Sequence, residues 1–391
     1  MPFTRSRTCW GKRILLASSI LGLVASFTSN HRGLAKTRIN VGLSMAGESD
    51  FVSKVTFFAK EVPNPSEENP TTTSATFDPV TEALIRKSKD IIASDLGIQD
   101  PSLLAEDFLW IGPYLEKPLG KVDYLAAGRF FSLRTAFPDL DYRPHDFRVD
   151  RNDPLTVRCT VRPVGVMRGP LRLRNELVPP NGKQWRGPPE AISITFDAES
   201  GKVAKLCSGF AMDRLVGNTN GLCGVLAAAT VAGVPPSEWE VNAIPTVISR
   251  FFGRPVDPLG EVSTFLAPFP ETVMIQLVKG ILTTNLAADD PALLSKDFTF
   301  LTPSIGPVGK AKFIESYAEQ EFGGFEPEYS HFRVDPFDPY RVWVDVKLVG
   351  PGLEGPPQAF SFTFDDDGFC TRITAGAVMD PSIGTFDFYD T

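Results

Sequence analysis

The second half of this chain repeats the first, and that restricts its fold more than any other feature. Phe147-Arg148-Val149-Asp150 recurs as Phe332-Arg333-Val334-Asp335. The nineteen positions from Phe147 to Gly165 match Phe332 to Gly350 without a gap, and ten are identical. Chance at ordinary composition gives about one or two. One domain type is therefore used twice, and 391 residues are enough for two cores.

Hydrophobic content of 42% and charged content of 22% are ordinary for a soluble protein. A net charge of −8 argues against nucleic acid as the main partner, because binding phosphates needs a basic surface. Cys159, Cys207, Cys223 and Cys370 form no CxxC pair, and the matching positions Val344, Thr374 and Val203 hold no cysteine. Repeats that share no cysteines share neither a disulfide framework nor a zinc site, so these thiols read as small buried apolar groups. No His/Cys cluster, GxGxxG or P-loop is present, and no cofactor or metal is expected.

The N-terminus reads as a targeting signal. Arg5, Arg7, Lys12 and Arg13 precede the apolar run Ile14 to Ala25, which is too short for a bilayer, and Val24-Ala25-Ser26 supplies a cleavage site. No acid appears before Glu48, and Phe27 heads a stretch of Ser, Thr and basic residues. This arrangement resembles the bipartite plastid presequence of algae with secondary red plastids, which implies import into a plastid; plain secretion is the alternative. The divisions expected are a signal peptide over 1–26, a transit segment over 27–50 and a linker over 51–78. They continue with a first domain over 79–220, a connector with a helix over 221–268, and a second, degenerate domain over 269–391. No transmembrane segment is expected in the mature chain.

Each repeat reads as helices followed by strands. Apolar spacing predicts a helix over Val80 to Ser94 and a long helix over Gly120 to Phe137. Asp100-Pro101 opens a short helix, and Asp107 to Ile111 is a short strand. Period-two alternation predicts strands at Phe147 to Asp150 with Thr156 to Val164, at Glu190 to Phe196 and at Val203 to Met212. The second repeat keeps this order, with helices at Glu271 to Thr283 and Lys310 to Phe322. Leu222 to Val234 reads as a helix docked on the first domain. The fold class predicted is α+β: two tandem domains, each with helices on one face of a curved antiparallel sheet.

That order and size resemble the SnoaL-like, nuclear transport factor two-like superfamily, over most of 80–220 and 270–390. Phe147-Arg148-Val149-Asp150, Pro188-Pro189-Glu190-Ala191 and the run Met212-Asp213-Arg214-Leu215-Val216-Gly217-Asn218-Thr219 resemble a group found in diatoms and related algae. The resemblance implies two tandem cone-shaped domains, each with its helices packed on the concave face of the curved antiparallel sheet. It also implies a small apolar ligand held in the cone and, in enzymatic members, a carboxylate or His–Asp pair as acid and base. A carboxylate walled in by apolar groups has the raised pKa that proton transfer near neutrality needs.

Asp213 and Asp380 follow Met at the end of each last strand, where an acid is either a general base at the cone mouth or a cap on the next turn. Asp150 and His145 are further catalytic candidates. Asp150 also reads as half of a surface ion pair with Arg148, two residues away on the same strand face. His145 and His331 fall one residue out of register, which puts them on opposite faces and denies them a shared role. Trp110, Tyr114, Tyr124, Arg148 and Arg158 are candidate ligand-binding residues, with plain core packing the other reading of the aromatics.

Between Gly165 and Gly187 the first repeat carries an insertion that the second lacks. It brings Arg168, Arg172, Arg174, Lys183 and Arg186, a basic arm on an acidic chain, which is either a solvated hairpin or a site for an anionic ligand or acidic partner. The chain thus reads as a plastid protein binding a small hydrophobic molecule or a protein partner. A SnoaL-like isomerase, cyclase or dehydratase using Asp213 is the alternative, and a dimer or an intramolecular pairing of the repeats is the expected assembly.

Overall fold

The computed structural model describes residues 78–234 apart from 114, 116, 174 and 175, and residues 266–385 apart from 304, 305, 318–325 and 351. The presequence, the linker, Tyr114, Arg174 and the connector beyond Val234 lie outside the described residues.

The first domain begins with α1 (Pro79–Ala93), where proline takes the first helical turn and Leu84, Ser88, Ile91 and Ile92 form the buried stripe. Asp95, Leu96 and Gly97 then all take positive φ and turn the chain sharply. Asp100 accepts a hydrogen bond from the Ser102 N–H and opens a 3₁₀ turn over Pro101–Leu103, which leads into β1 (Leu104–Ile111). After β2 (Leu119–Gly120) comes α2 (Lys121–Phe131). The expected long helix breaks here: Ser132 adopts φ 48°, and the short α3 (Leu133–Ala136) starts in a new direction.

The strands β3 (His145–Val149), β4 (Thr156–Val161), β9 (Glu190–Phe196) and β10 (Val203–Ala211) form an antiparallel meander. Its order is β2-β1-β10-β9-β4-β3. The expected all-antiparallel sheet is mixed at one edge, because β1 enters parallel to β10. Register shifts within β1 and β10 bend the sheet.

On one sheet face Val157, Cys159, Val161, Ile192, Ile194, Phe196, Val203 and Leu206 pack with Leu84, Ile91, Ile92 and Tyr124 of the helices. Each such aliphatic side chain contributes about 1.5–3 kcal/mol by leaving water.

The insertion is not a bare hairpin. It forms β5 (Val164–Val166), β6 (Leu171–Leu173), β7 (Glu176–Val178) and β8 (Gln184–Arg186), paired β5 with β8 and β6 with β7. Met167, Leu171, Leu173 and Trp185 share a small core with Ala227, Ala228, Ala229 and Val231 of α4 (Gly224–Ala232).

The second domain repeats the plan with α5 (Glu271–Thr283), β11 (Leu294–Leu301), β12 (Val308–Gly309) and α6 (Lys310–Tyr317). Its meander is β13 (Glu326–Asp335), β14 (Asp338–Gly350), β16 (Gln358–Phe364) and β17 (Cys370–Val378), with the short β15 (Leu353–Glu354) in place of the arm. Its order, β12-β11-β17-β16-β14-β13, matches that of the first sheet.

The domains meet through the sheet faces turned away from their helices. Ala191 and Met212 of the first pack with Trp343, Ala359, Ala377 and Met379 of the second. Alternation along β4 and β9 sends the core residues to the helices and Thr156, Arg158, Thr160, Ala191 and Ser193 to the partner domain.

Candidate functional site

The charged residues singled out by the sequence gather at this domain interface, not at a cone mouth. Arg148 reaches across: its Nε donates to Asp345 Oδ2 at 2.8 Å, and its Nη2 lies 2.6 Å from the same oxygen. The equivalent Arg333 crosses the other way, with Nε 3.2 Å from Asp146 Oδ2, while its Nη1 donates to Asp345 Oδ1 at 2.9 Å. The two matching arginines thus share Asp345. Burial alone would raise its pKa, but the two guanidiniums outweigh that and hold it far below the usual carboxylate range. The expected pairing of Arg148 with Asp150 is not made. Asp150 pairs instead with Arg158 and accepts the backbone N–H of Asn152 and Asp153.

Asp213 is 1% exposed and sits in the same interface. Its Oδ1 accepts the Leu215 N–H at 3.0 Å, a turn cap, and its Oδ2 lies 3.3 Å from Arg341 Nη1 and 3.2 Å from Arg372 Nη2. Burial pushes its pKa up, but Arg372 and Arg341 pull harder, and the net shift is downward. That direction favours a permanent anion and opposes proton uptake near neutrality. Arg214, next in sequence, donates to the carbonyls of Pro303 and Gly306 in the second domain.

Asp380 accepts from the Ser382 N–H and hydroxyl, and Lys205 Nζ meets that hydroxyl at 2.8 Å. His145 packs on the Phe337 ring at 5.0 Å, and its Nδ1 lies 2.9 Å from the Arg143 carbonyl oxygen.

The aromatic candidates lie on the other side of the sheet. Tyr124 is buried between Phe108 and Trp110, with ring centroids 5.2 and 5.4 Å away. Its hydroxyl donates to the Leu96 carbonyl, and Trp110 Nε1 donates to Ser208 Oγ at 2.8 Å. The sheet therefore separates these residues from Asp213, Asp150, Arg148, Arg158 and His145, and the candidates form two sets, not one.

Two features on the helix side escaped the sequence reading. Tyr142 donates to Asp95 Oδ1 at 2.7 Å, with Arg134 Nε 3.7 Å from the same oxygen. Glu190 begins β9 on the face shared with Ile192 and Ile194 and is 6% exposed. Burial raises its carboxyl to about 7, against the Gly209 N–H, which it accepts at 2.7 Å, and the Cys223 thiol. The signal for Glu190 was available: it belongs to the Pro-Pro-Glu-Ala motif, and parity with Ile192 fixes its face.

The basic arm does not act as one unit. Arg168 pairs with Asp139 at 3.4 Å, and Arg172 stacks over Phe130 at 5.7 Å. Lys183 and Arg186 line a groove of about 420 Å³ together with Gln184, Asn218, Thr230 and Val231. Among the described residues there is no group of three or more His, Cys, Asp or Glu placed to hold a metal ion, and no helix long and apolar enough to cross a membrane.

No family model matches the chain, and no curated protein matches it. Among solved structures, its fold is similar to those of SnoaL-like polyketide cyclases and of nuclear transport factor two-like and steroid-isomerase proteins. A protein described as a SnoaL-like polyketide cyclase from Jannaschia sp. CCS1 is 19% identical, with a TM-score of 0.30, over 41% of this chain and 97% of its own. A steroid delta-isomerase from Pseudomonas aeruginosa is 16% identical, with a TM-score of 0.24, over 41% and 95%. A nuclear transport factor two-like protein from Burkholderia pseudomallei is 12% identical, with a TM-score of 0.25, over 40% and 98%. Likeness of this degree carries no argument about activity.

Proposed function

We propose that this is a plastid binding protein in which domain 2 serves as the built-in partner of domain 1, an intramolecular pseudo-dimer, and domain 1 holds a small hydrophobic molecule or a protein partner. The observation that supports this reading is the fate of the charged candidates. Asp213, Arg148, Asp146, Arg333 and Asp345 are engaged in buried and half-buried ion pairs between the domains. A carboxylate held by two arginines is costly to strip of its partners and is poorly suited to take up a proton. The test is native purification followed by mass spectrometry of what travels with the chain. The reading expects a bound small molecule or a stoichiometric partner, and recovery of an empty protein that turns over a ketone substrate would defeat it. Plastid import rests on residues 1–50, and a reporter carrying them that stays in the cytosol would remove that part.

A second reading is favoured by Glu190. Its raised carboxyl on the helix side of the sheet fits a general acid–base group, and an isomerase or dehydratase reaction in domain 1 would depend on it rather than on Asp213. Loss of turnover in Glu190→Gln, with a melting temperature no lower than the parent's, would establish that reading.

A further inference from the structure

We propose that the solvent face of α2 in domain 1 pairs antiparallel with α2 of a second copy of this chain, forming a weak, reversible dimer. Tyr124 is the buried residue of α2, and the side of the helix away from it carries an apolar row. Val122, Ala126 and Phe130 follow one another at i, i+4 and i+8 and so form one ridge. All three are exposed, Val122 by 80% and Phe130 by 40%, where an amphipathic helix ordinarily presents polar residues. Arg172 of β6 lies over the Phe130 ring at 5.7 Å, and the exposed Leu177 stands opposite Arg172 in β7. The apolar surface therefore continues past the end of the helix. Domain 2 shows that the fold does not require this row. Gly309-Lys310 matches Gly120-Lys121, and Ala311, Lys312 and Glu315 stand where domain 1 has Val122, Asp123 and Ala126.

The order of residues along the row identifies the partner. The helix runs from Lys121 to Phe131, so Ala126 is its midpoint. Val122 and Phe130 lie four residues either side of Ala126, and Asp123 and Arg129 lie three residues either side. A two-fold axis through Ala126 sets Val122 against Phe130 of the second copy and Asp123 against Arg129 of the second copy, each contact occurring twice. That is the self-complementarity an isologous contact needs. Asp123 and Arg129 are both exposed, and at six positions apart they are not neighbours on their own helix, so they meet only across the axis. A lipid surface or a partner of one charge sign would meet both charges together and be repelled by one of them. The small Ala126 at the crossing point lets the two helices approach closely. One helix ridge covers much less than the about 800 Å² that each partner of a stable complex gives up, so the dissociation constant falls at about 10 μM to 1 mM. The contact lies on the helix side of the first sheet, away from the face that domain 2 covers.

The test is sedimentation velocity of the full chain from about 5 to about 500 μM, a range that brackets the expected dissociation constant. The parent should pass from monomer to dimer across it, and Ala126→Arg should stay monomeric. Asp123→Arg and Arg129→Asp should each weaken the dimer about tenfold, because two attractions become two repulsions. The double variant, Asp123→Arg with Arg129→Asp, should return to within about threefold of the parent, since the exchanged charges again oppose each other across the axis. Both changes place the wrong sign at the ends of the helix dipole, so the double variant should also have the lowest melting temperature of the set. A merely structural role would make it the weakest dimer as well. A parent that stays monomeric at the highest concentration, a dimer that survives Ala126→Arg, or a double variant no stronger than the single ones would overturn the proposal. Asp213→Asn leaves α2 in place, so a failure of the domain-pairing reading would not move this result.

Discussion

The two domains have the same element order and the same sheet order, yet they differ where it counts. Thr160 of domain 1 corresponds to Asp345 of domain 2, and Thr156 corresponds to Arg341. Domain 2 thus supplies the acid that holds both crossing arginines and an arginine that holds Asp213. Domain 1 in turn keeps a buried titratable Glu190, where domain 2 has Gln358, and keeps the arm where domain 2 has a two-residue strand. The comparison teaches that the two copies divide their polar residues: domain 2 carries the shared acid Asp345 and Arg341 of the interface, and domain 1 carries the buried acid Glu190 and the arm.

The largest effect should come from removing the shared acid. Asp345→Asn leaves the half-buried Arg148 and Arg333 without their common partner, with Asp146 still on Arg333, and breaking such a pair costs up to about 3–5 kcal/mol. Denaturant unfolding should show this loss, whereas Thr160→Val at the matching position of domain 1 should cost under about 1.5 kcal/mol. The carboxyl of Asp345 is lowered on folding, so its contribution is complete above 3.8 and disappears as pH falls through the folded-state value. An Asp345→Asn protein as stable as the parent at pH 7 would break the comparison.

The next effect is smaller and opposite in sign. Glu190 is raised from 4.5 to about 7 by burial, so the folded state binds the proton more tightly than the unfolded chain. Its stabilisation is full below 4.5 and is lost as pH rises to about 7. At pH 8 the ionised carboxylate costs of the order of 3 kcal/mol. Glu190→Gln should therefore be more stable than the parent at pH 8 and should flatten the slope between 4.5 and 7. Gln358→Glu should introduce the same slope into domain 2. Melting curves across pH check both.

A third, smaller effect sharpens the difference on the helix side. Tyr142→Phe removes the donor to Asp95 and should cost about 1–3 kcal/mol. Asn285, which stands where domain 1 has Asp95, instead donates to the Tyr317 carbonyl. Asn285→Ala should then lower stability by about 0.5–1.5 kcal/mol, the net worth of one ordinary bond.

Much of this was legible beforehand. The alternation Thr156-Val157-Arg158-Cys159-Thr160-Val161 assigns each residue to a face, and the Asp100-Pro101 and Asp290-Pro291 turns fall where the sequence placed them. What alternation cannot reveal is what covers the polar face. Arg158 and Asp213 look like surface or mouth residues in one repeat alone, and only the second repeat, docked against them, buries them. The break at Ser132 was hidden because the apolar spacing continues through it while the backbone turns left-handed. The parallel placement of β1 depends on which edge of the sheet receives it, a long-range choice with no local signature.

The most direct test compares Asp213→Asn with Asp380→Asn by calorimetry of the full chain. Asp213 meets two arginines of the other domain, whereas Asp380 meets no arginine among the described ion pairs and accepts from Ser382 and the Cys207 thiol. The account predicts a loss of about 3 kcal/mol or more for Asp213→Asn. It also predicts that the two domains then unfold in separate transitions, and that Asp380→Asn stays near the parent. An Asp213→Asn protein that melts as the parent does, in one transition, and has lost a measurable turnover would contradict it.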